Sequence, residues 1–187
     1  MRNSLQNLFP KIAAEWHPTK NYLLPSDVIA GSHKKYWFLC IKRHEWQATL
    51  DHRTNGRGCP YCANKKVCYD NCLQTLFPEI AAEWHPIKNG NLTPKDVIAG
   101  SNKKYWFLCK KGHEWMSTLN NRTFHKRGCP YCSNQKVCYD NCLQTLFPEI
   151  SAEWHPTKND LSPSDVIAGS EKKYWFLCKK SMNGWLD

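Results

Sequence analysis

The sequence contains no apolar run that approaches the length of a membrane-spanning helix, and its N-terminus lacks the apolar core of a secretory signal peptide. It also contains neither a glycine-rich phosphate-binding loop nor a recognisable nucleophile motif. These absences argue against a membrane protein, a secreted protein and the common nucleotide-hydrolysing enzymes. We therefore expect an intracellular protein of the cytoplasm or nucleus.

Acidic residues are scarce relative to basic ones, with 16 Asp and Glu against 26 Lys and Arg and a net charge of +10. Residues 1–70 hold eleven basic and five acidic side chains, residues 71–140 ten and five, and residues 141–187 five and six. Local positive charge suits phosphate contacts, although it also occurs on solvated faces. The candidate nucleic-acid-binding residues are Lys34, Lys35, Arg53, Arg57, Lys103, Lys104, Arg122 and Arg127.

The chain repeats itself. The segment CLQTLFPEIAAEWHP from Cys72 returns with one substitution from Cys142, and a related version lies near the start. Each copy is followed by DVIAGS and YWFLC. The period of about 70 residues predicts three domains. These are zinc-finger repeat 1 at 1–70, zinc-finger repeat 2 at 71–140, and a truncated repeat 3 at 141–187 that lacks a complete zinc site.

Eleven cysteines are present, and eight Cys and His residues form two sets of the pattern Cys-x3-His followed by Cys-x2-Cys. Three thiolates and one imidazole suit a tetrahedral zinc ion. Paired cysteines in a reducing compartment favour metal over disulfides. We predict two Zn²⁺ ions, bound by Cys40, His44, Cys59 and Cys62 in repeat 1 and by Cys109, His113, Cys129 and Cys132 in repeat 2.

The predicted fold class is a series of small, metal-stabilised α+β zinc-finger repeats. A repeat of about 70 residues is close to the lower limit for a self-sufficient core, so zinc should stabilise it.

PEIAAEW predicts a short helix from Pro78 to about Trp84, ended by Pro86. YWFL and HEWMSTL predict a β-hairpin, with aromatic residues better suited to core than to base stacking. Gly112 suits a left-handed hairpin turn, whereas Arg43 at the same place in repeat 1 would be strained.

A helix after the CPYC motif would make each module a treble clef, whereas a second hairpin would make it a zinc ribbon. The order EWHPxKN, SxKKYWFLCxKxHEW, NRT and RGCPYC resembles a family of treble-clef or zinc-ribbon modules. Members occur as tandem arrays in bacteria, algae and large DNA viruses, sometimes beside nuclease domains of the very-short-patch-repair type. The resemblance covers repeats 1 and 2, and repeat 3 as far as Cys178. It implies zinc binding and association with DNA or RNA, and it adds a virion or an infected host cell to the expected locations.

Repeat 3 departs from the pattern, because Met182 stands where the ligand histidine is expected and no CPYC follows. Cys178 is thus left without a complete ligand set. Repeat 3 could cap repeat 2, form a frayed tail, or offer a half-site that another chain completes. Four further cysteines could form a second metal site, a redox switch, or small buried contacts at the repeat boundaries. They are Cys68, Cys72, Cys138 and Cys142.

Four protein ligands close the coordination shell of zinc, so we expect no zinc-activated water and no enzyme. The leading hypothesis is a zinc-finger array that binds nucleic acid mainly through phosphates. One alternative is a zinc-stabilised scaffold or virion component whose basic faces meet an acidic protein partner. Another is a specificity module that works with a separately encoded nuclease.

Overall fold

The structure is a computed structural model that describes residues 2–178. Short helices and two hairpins alternate along this part of the chain, which confirms the predicted class of small α+β modules. The strands are β1 (Lys35–Leu39), β2 (Glu45–Thr49), β3 (Lys104–Leu108) and β4 (Glu114–Thr118). The helices are α1 (Leu5–Leu8), α2 (Pro10–Ala13), α3 (Leu50–Thr54), α4 (Leu73–Leu76), α5 (Pro78–Ala81), α6 (Leu119–Thr123), α7 (Leu143–Leu146) and α8 (Pro148–Ser151). Single 3₁₀ turns lie at Tyr69–Asn71, Tyr139–Asn141 and Pro163–Asp165.

The two hairpins have the same register. Strand β1 pairs antiparallel with β2, and β3 pairs antiparallel with β4. At the turns, Arg43 has φ 66° and Gly112 has φ 83°, so the predicted left-handed backbone is confirmed in both. This conformation costs a side chain such as that of Arg43 about 1 kcal/mol. Each turn sets a cysteine and a histidine close together at the end of its hairpin.

The short helix in repeat 2 begins at Pro78 as predicted but ends at Ala81, three residues before Trp84. The chain leaves the helix because the backbone of Trp84 forms a β-bridge with Phe107. The next residue, His85, donates its backbone N–H to the carbonyl of Trp106 at 3.1 Å. Pairing with the edge of the hairpin therefore ends the helix before Pro86 can do so.

Aromatic residues build the core of repeat 1. Phe38 and Leu50 are fully buried, and Trp46 is nearly so. The ring of Trp16 meets Phe38 edge-on at 5.7 Å, and Phe38 stacks on Trp46 at the same distance. Phe107 in repeat 2 is likewise fully buried. The prediction that these hairpin aromatics serve the core is confirmed for Phe38 and Phe107.

Two arginines lie in the core. Arg53 and Arg122 are 4% and 6% exposed. The guanidinium carbon of Arg53 lies 5.0 Å from the centre of the Phe38 ring, and one of its nitrogens donates to Glu15. Arg122 makes the equivalent ion pair with Glu83. Both were predicted to contact nucleic acid, and this expectation needs correction because their guanidinium groups are enclosed and already paired.

The chain folds into two compact units. The first comprises Met1–Ala82 and Gly90–Ser101, and it joins the first hairpin to the helices α4 and α5. The second comprises Glu83–Asn89 and the described residues from Asn102 onward. The division of the sequence at 1–70, 71–140 and 141–187 stays a prediction that rests on the repeated text.

Repeat 3 keeps its helices and a β-bridge between Trp154 and Phe176. Phe176 is 42% exposed, whereas its counterparts in repeats 1 and 2 are fully buried. Cys178 is exposed, and Met182 lies outside the described residues. The three interpretations of repeat 3 therefore stay predictions.

The ion pair between buried Arg53 and partly exposed Glu15 leads to a stability prediction. Replacing Glu15 by Gln should lower the free energy of unfolding by about 1 to 2 kcal/mol, because a charged hydrogen bond to an enclosed guanidinium is lost. Chemical denaturation at saturating zinc measures this change. Glu171→Gln alters an exposed carboxylate and should change stability by less than about 0.5 kcal/mol. Equal effects of the two substitutions would contradict the role of the pair.

Candidate metal centres

Each metal site is assembled from two short pieces of chain. The hairpin turn supplies a cysteine and a histidine, and the Cys-Pro-Tyr-Cys turn supplies two more cysteines. The ligand atoms of each set lie within 4.8 Å of one another, so the structure brings all eight predicted ligands together in two tetrads. The first tetrad is Cys40, His44, Cys59 and Cys62, and the second is Cys109, His113, Cys129 and Cys132.

The distances within the first tetrad fit zinc. The Nδ1 atom of His44 lies 3.5, 3.6 and 3.4 Å from the sulfurs of Cys40, Cys59 and Cys62. The sulfurs of Cys40 and Cys62 are 3.8 Å apart. Ordinary zinc bond lengths in a tetrahedron place sulfur about 3.6 Å from nitrogen and about 3.8 Å from another sulfur. The second tetrad has matching distances of 3.3 to 3.7 Å.

The close spacing of the cysteine thiols also requires a cation in the site if all of them are to ionise. Burial, with contacts from the sulfurs of Cys59 and Cys40, raises the pKa of the Cys62 thiol to about 12. Burial also opposes ionisation of Cys40, but backbone hydrogen bonds from His44 and Lys42 lower its pKa overall. Three thiols this close cannot all lose their protons unless a positive charge balances them. Two Cys₃His sites of this kind hold two Zn²⁺ ions, and the four protein ligands of each site give zinc a structural role.

A carboxylate orients each ligand histidine. Asp70 Oδ2 lies 3.2 Å from Nε2 of His44, and Asp140 lies at the same distance from His113. Hydrogen bonding at Nε2 leaves Nδ1 for the metal, as is usual for histidines that bind zinc. Our reading of the sequence missed both aspartates. The YDN segment is the feature of the sequence that indicates them, because its aspartate follows the last cysteine ligand by eight residues in both repeats.

The asparagine after each aspartate holds the Cys-Pro-Tyr-Cys turn in place through hydrogen bonds. The amide nitrogen of the buried Asn71 side chain donates to the carbonyls of Tyr61 at 3.1 Å and Lys66 at 2.9 Å. Its oxygen accepts the backbone N–H of Cys68 at 2.8 Å. Asn141 makes the same bonds in repeat 2. The YDN segment therefore supports the zinc site through both its carboxylate and its amide.

The four remaining boundary cysteines belong to neither tetrad. Cys68 lies beside the first site, with its sulfur 3.5 Å from His44 Nε2. Cys72 is buried, and its sulfur lies 3.3 Å from the hydroxyl of Thr75. Cys138 and Cys142 have the same surroundings in repeat 2. Cys72 and Cys142 are therefore packed as small buried residues, whereas the role of Cys68 and Cys138 beside the ligand histidines stays a prediction.

Six of the eight predicted nucleic-acid-binding residues are exposed: Lys34, Lys35, Arg57, Lys103, Lys104 and Arg127. Arg53 and Arg122 lie in the core, as described above. No helix of the described chain has the length and apolar character needed to cross a membrane.

The zinc content should follow the ligand assignment. Native mass spectrometry should find two zinc ions in the wild-type protein, and one after Cys59→Ser removes a ligand from the first site. Cys178→Ser should retain both ions, because Cys178 belongs to neither tetrad. Two ions in the Cys59 variant, or fewer than two in the wild type, would overturn the assignment.

The carboxylate beside each histidine should tune zinc affinity. Asp70→Asn should weaken zinc binding at the first site by about 10- to 100-fold, because it removes the charge that orients His44. Competition with a chromophoric chelator measures the affinity. Asp160→Asn removes an exposed carboxylate in repeat 3 and should leave both affinities unchanged. An unaltered affinity in the Asp70 variant would show that its contact with His44 does not matter for the metal.

One relative comes from a phage. The chain is 32% identical over 97 residues to a protein named "Putative endonuclease" from Escherichia phage T5. The aligned part is 51% of this chain and 31% of the phage protein. The chain therefore spans about a third of the length of that relative.

The family comparison agrees with the geometry of the sites. A family model described as "Probable Treble clef zinc finger domain" matches residues 12–65, 80–135 and 150–187. The first two matches contain the two complete tetrads. Each CPYC motif itself forms a helical turn, with Ala63 N–H bonded to the carbonyl of Cys59 in repeat 1, and the described residues contain neither a longer helix nor a second hairpin directly after it. The chain belongs to this treble clef zinc finger family, in tandem copies.

Proposed function

We propose that this protein is an array of structural zinc modules that binds DNA or RNA through the basic faces of repeats 1 and 2. One observation carries the proposal. Six exposed Lys and Arg side chains lie in the zinc-binding halves of these repeats, residues 32–70 and 101–140, where eight basic residues stand against three and two acidic residues respectively. A basic excess of this kind attracts the phosphates of a nucleic acid.

The acidic side chains of residues 32–70 illustrate the point. Glu45 is bonded to His17 and Lys20, which lower the pKa of its carboxyl group. Asp51 accepts a hydrogen bond from Asn55 at 2.9 Å, and Asp70 contacts the zinc ligand His44. Asp51 and Asp70 keep their charge in these contacts, but the eight basic side chains of the same segment outnumber its three acids, so the segment stays positive.

Zinc binding changes the charge only slightly. Three thiolates and one divalent ion contribute about −1 at each site, so two occupied sites lower the net charge to roughly +8. The basic excess of repeats 1 and 2 therefore persists in the zinc-bound protein.

The phage T5 relative supports a nucleic acid as the partner. That protein is named "Putative endonuclease", and an activity of this kind requires contact with a nucleic acid. Because this chain covers only 31% of it, we take from it the class of partner and a viral setting, and not the cleavage activity. With closed zinc sites, we propose a binding role and no catalysis.

Binding should depend steeply on salt. If the six exposed basic residues each neutralise a phosphate, affinity should fall by about 10³-fold between 50 and 200 mM salt. Fluorescence anisotropy with labelled DNA and RNA measures this. Lys34→Gln, Lys35→Gln and Arg57→Gln in one variant should weaken binding and reduce the slope of log K against log salt by about 3.

The control variant carries Lys11→Gln, Lys172→Gln and Lys173→Gln, which remove three exposed charges outside the zinc-binding halves. It should bind with nearly wild-type affinity. If the zinc-loaded wild-type protein binds neither DNA nor RNA at 50 mM salt, the proposal fails. The scaffold with an acidic protein partner would then be the better hypothesis.

A further inference from the structure

Repeat 1 contains a cleft between its hairpin, α3 and the Cys-Pro-Tyr-Cys turn. Its volume is about 300 Å³, at the lower end of the range for small-ligand sites. Four exposed cations line it: Lys35, Arg57, Lys65 and Lys66. No acidic side chain is among its lining residues. We refer to it as the repeat 1 cleft, and its charge suits a phosphate group.

The same cleft has neutral polar groups. Gln47 on β2, Thr49 at the end of β2 and His52 on α3 all line it. Gln47 and His52 are exposed, and the Thr49 hydroxyl accepts the backbone N–H of His52 at 3.3 Å. An amide and an imidazole offer both donors and acceptors, as recognition of a base edge requires. The cleft therefore combines groups for a phosphate with groups for a base.

Repeat 2 keeps only part of this set. Lys104, Arg127 and Lys136 stand at the positions of Lys35, Arg57 and Lys66. Three other positions differ, since Gln47, His52 and Lys65 are replaced by Met116, Asn121 and Gln135. Repeat 2 therefore lacks one amide and one cation of this set, and it has the short amide of Asn121 in place of the imidazole of His52. It keeps three cations for phosphate contact, whereas repeat 1 has the larger set of groups that can contact a base.

We propose that the repeat 1 cleft binds one unpaired nucleotide of single-stranded nucleic acid. Lys35, Arg57 and Lys65 hold its phosphate, and Gln47 and His52 contact the edge of its base. This inference rests on the proposed function and adds a preferred form of nucleic acid to it. A paired base is stacked inside its duplex and must be extruded before it can enter a concave site. A single strand presents its bases at much lower cost.

The chain itself supplies the test variant. Gln47→Met, His52→Asn and Lys65→Gln together give repeat 1 the residues that repeat 2 already carries on the same hairpin and turn, so the variant should fold and retain two zinc ions. Its affinity for a labelled single-stranded oligonucleotide should fall about tenfold. Its affinity for the duplex of the same sequence should change less than threefold. Lys11→Gln removes one distant charge and serves as the matched control.

The reciprocal variant, with Met116→Gln, Asn121→His and Gln135→Lys, should bind the single strand more tightly than the wild type. In a second assay, a nucleoside monophosphate should shift the NMR signals of the Gln47 amide and the His52 ring in the wild-type protein. Inorganic phosphate should shift them less, because it lacks a base.

The outcomes separate this proposal from the proposed function. If the triple variant keeps the wild-type ratio of single-strand to duplex affinity, the nucleotide site is overturned, while salt-dependent binding stands. Equal shifts with phosphate and with the monophosphate would also overturn it, because the cleft would then be an anion site without base contact. Failure of the wild-type protein to bind either form at low salt would instead remove the proposed function.

Discussion

The convergence of three cysteine sulfurs and one imidazole nitrogen on a single point is the constraint on which each module depends. In repeat 1 these atoms come from the hairpin turn and from the Cys-Pro-Tyr-Cys turn, two pieces of chain that share no β-pairing. Thiolates at this distance repel one another unless a divalent ion lies between them. The same junction sets the walls of the repeat 1 cleft, because Gln47 belongs to the hairpin and Lys65 follows the turn. Zinc therefore fixes the shape of the proposed binding surface without contacting the nucleic acid.

Support for the metal extends into the connection with the next repeat. Asp70 contacts the ligand histidine, and Asn71 holds the turn that carries two of the cysteines. The carbonyl of Asn71 accepts the backbone N–H of Ala99, and Cys72 forms a β-bridge with Ile98. The first zinc site and the helical segment that follows it consequently lie in one compact unit. The repeat seen in the sequence and the unit seen in the fold are therefore divided at different places.

Two arginines of repeat 1, Arg53 and Arg57, have different roles although they lie only four residues apart. Arg53 lies over the ring of Phe38 in the core and is paired with Glu15, whereas Arg57 is exposed and lines the cleft. An enclosed guanidinium without its carboxylate would be costly, so the pair is a structural requirement. Each such pair joins one positive and one negative charge, so it leaves the net charge of the module unchanged. The positive charge around the zinc sites therefore comes from exposed residues such as Arg57.

The amino-acid sequence alone predicts the eight zinc ligands, the hairpins, the left-handed turns at Arg43 and Gly112, and the start of the helix at Pro78. These features depend on neighbouring residues, on ligand chemistry and on a pattern written twice. Tertiary contacts bury Arg53 and Arg122, place Asp70 and Asp140 against the ligand histidines, and end the helix in repeat 2 at Ala81. In each case the deciding partner is distant along the chain, as Glu15 is from Arg53, and local pattern carries no information about which distant groups the fold will bring together.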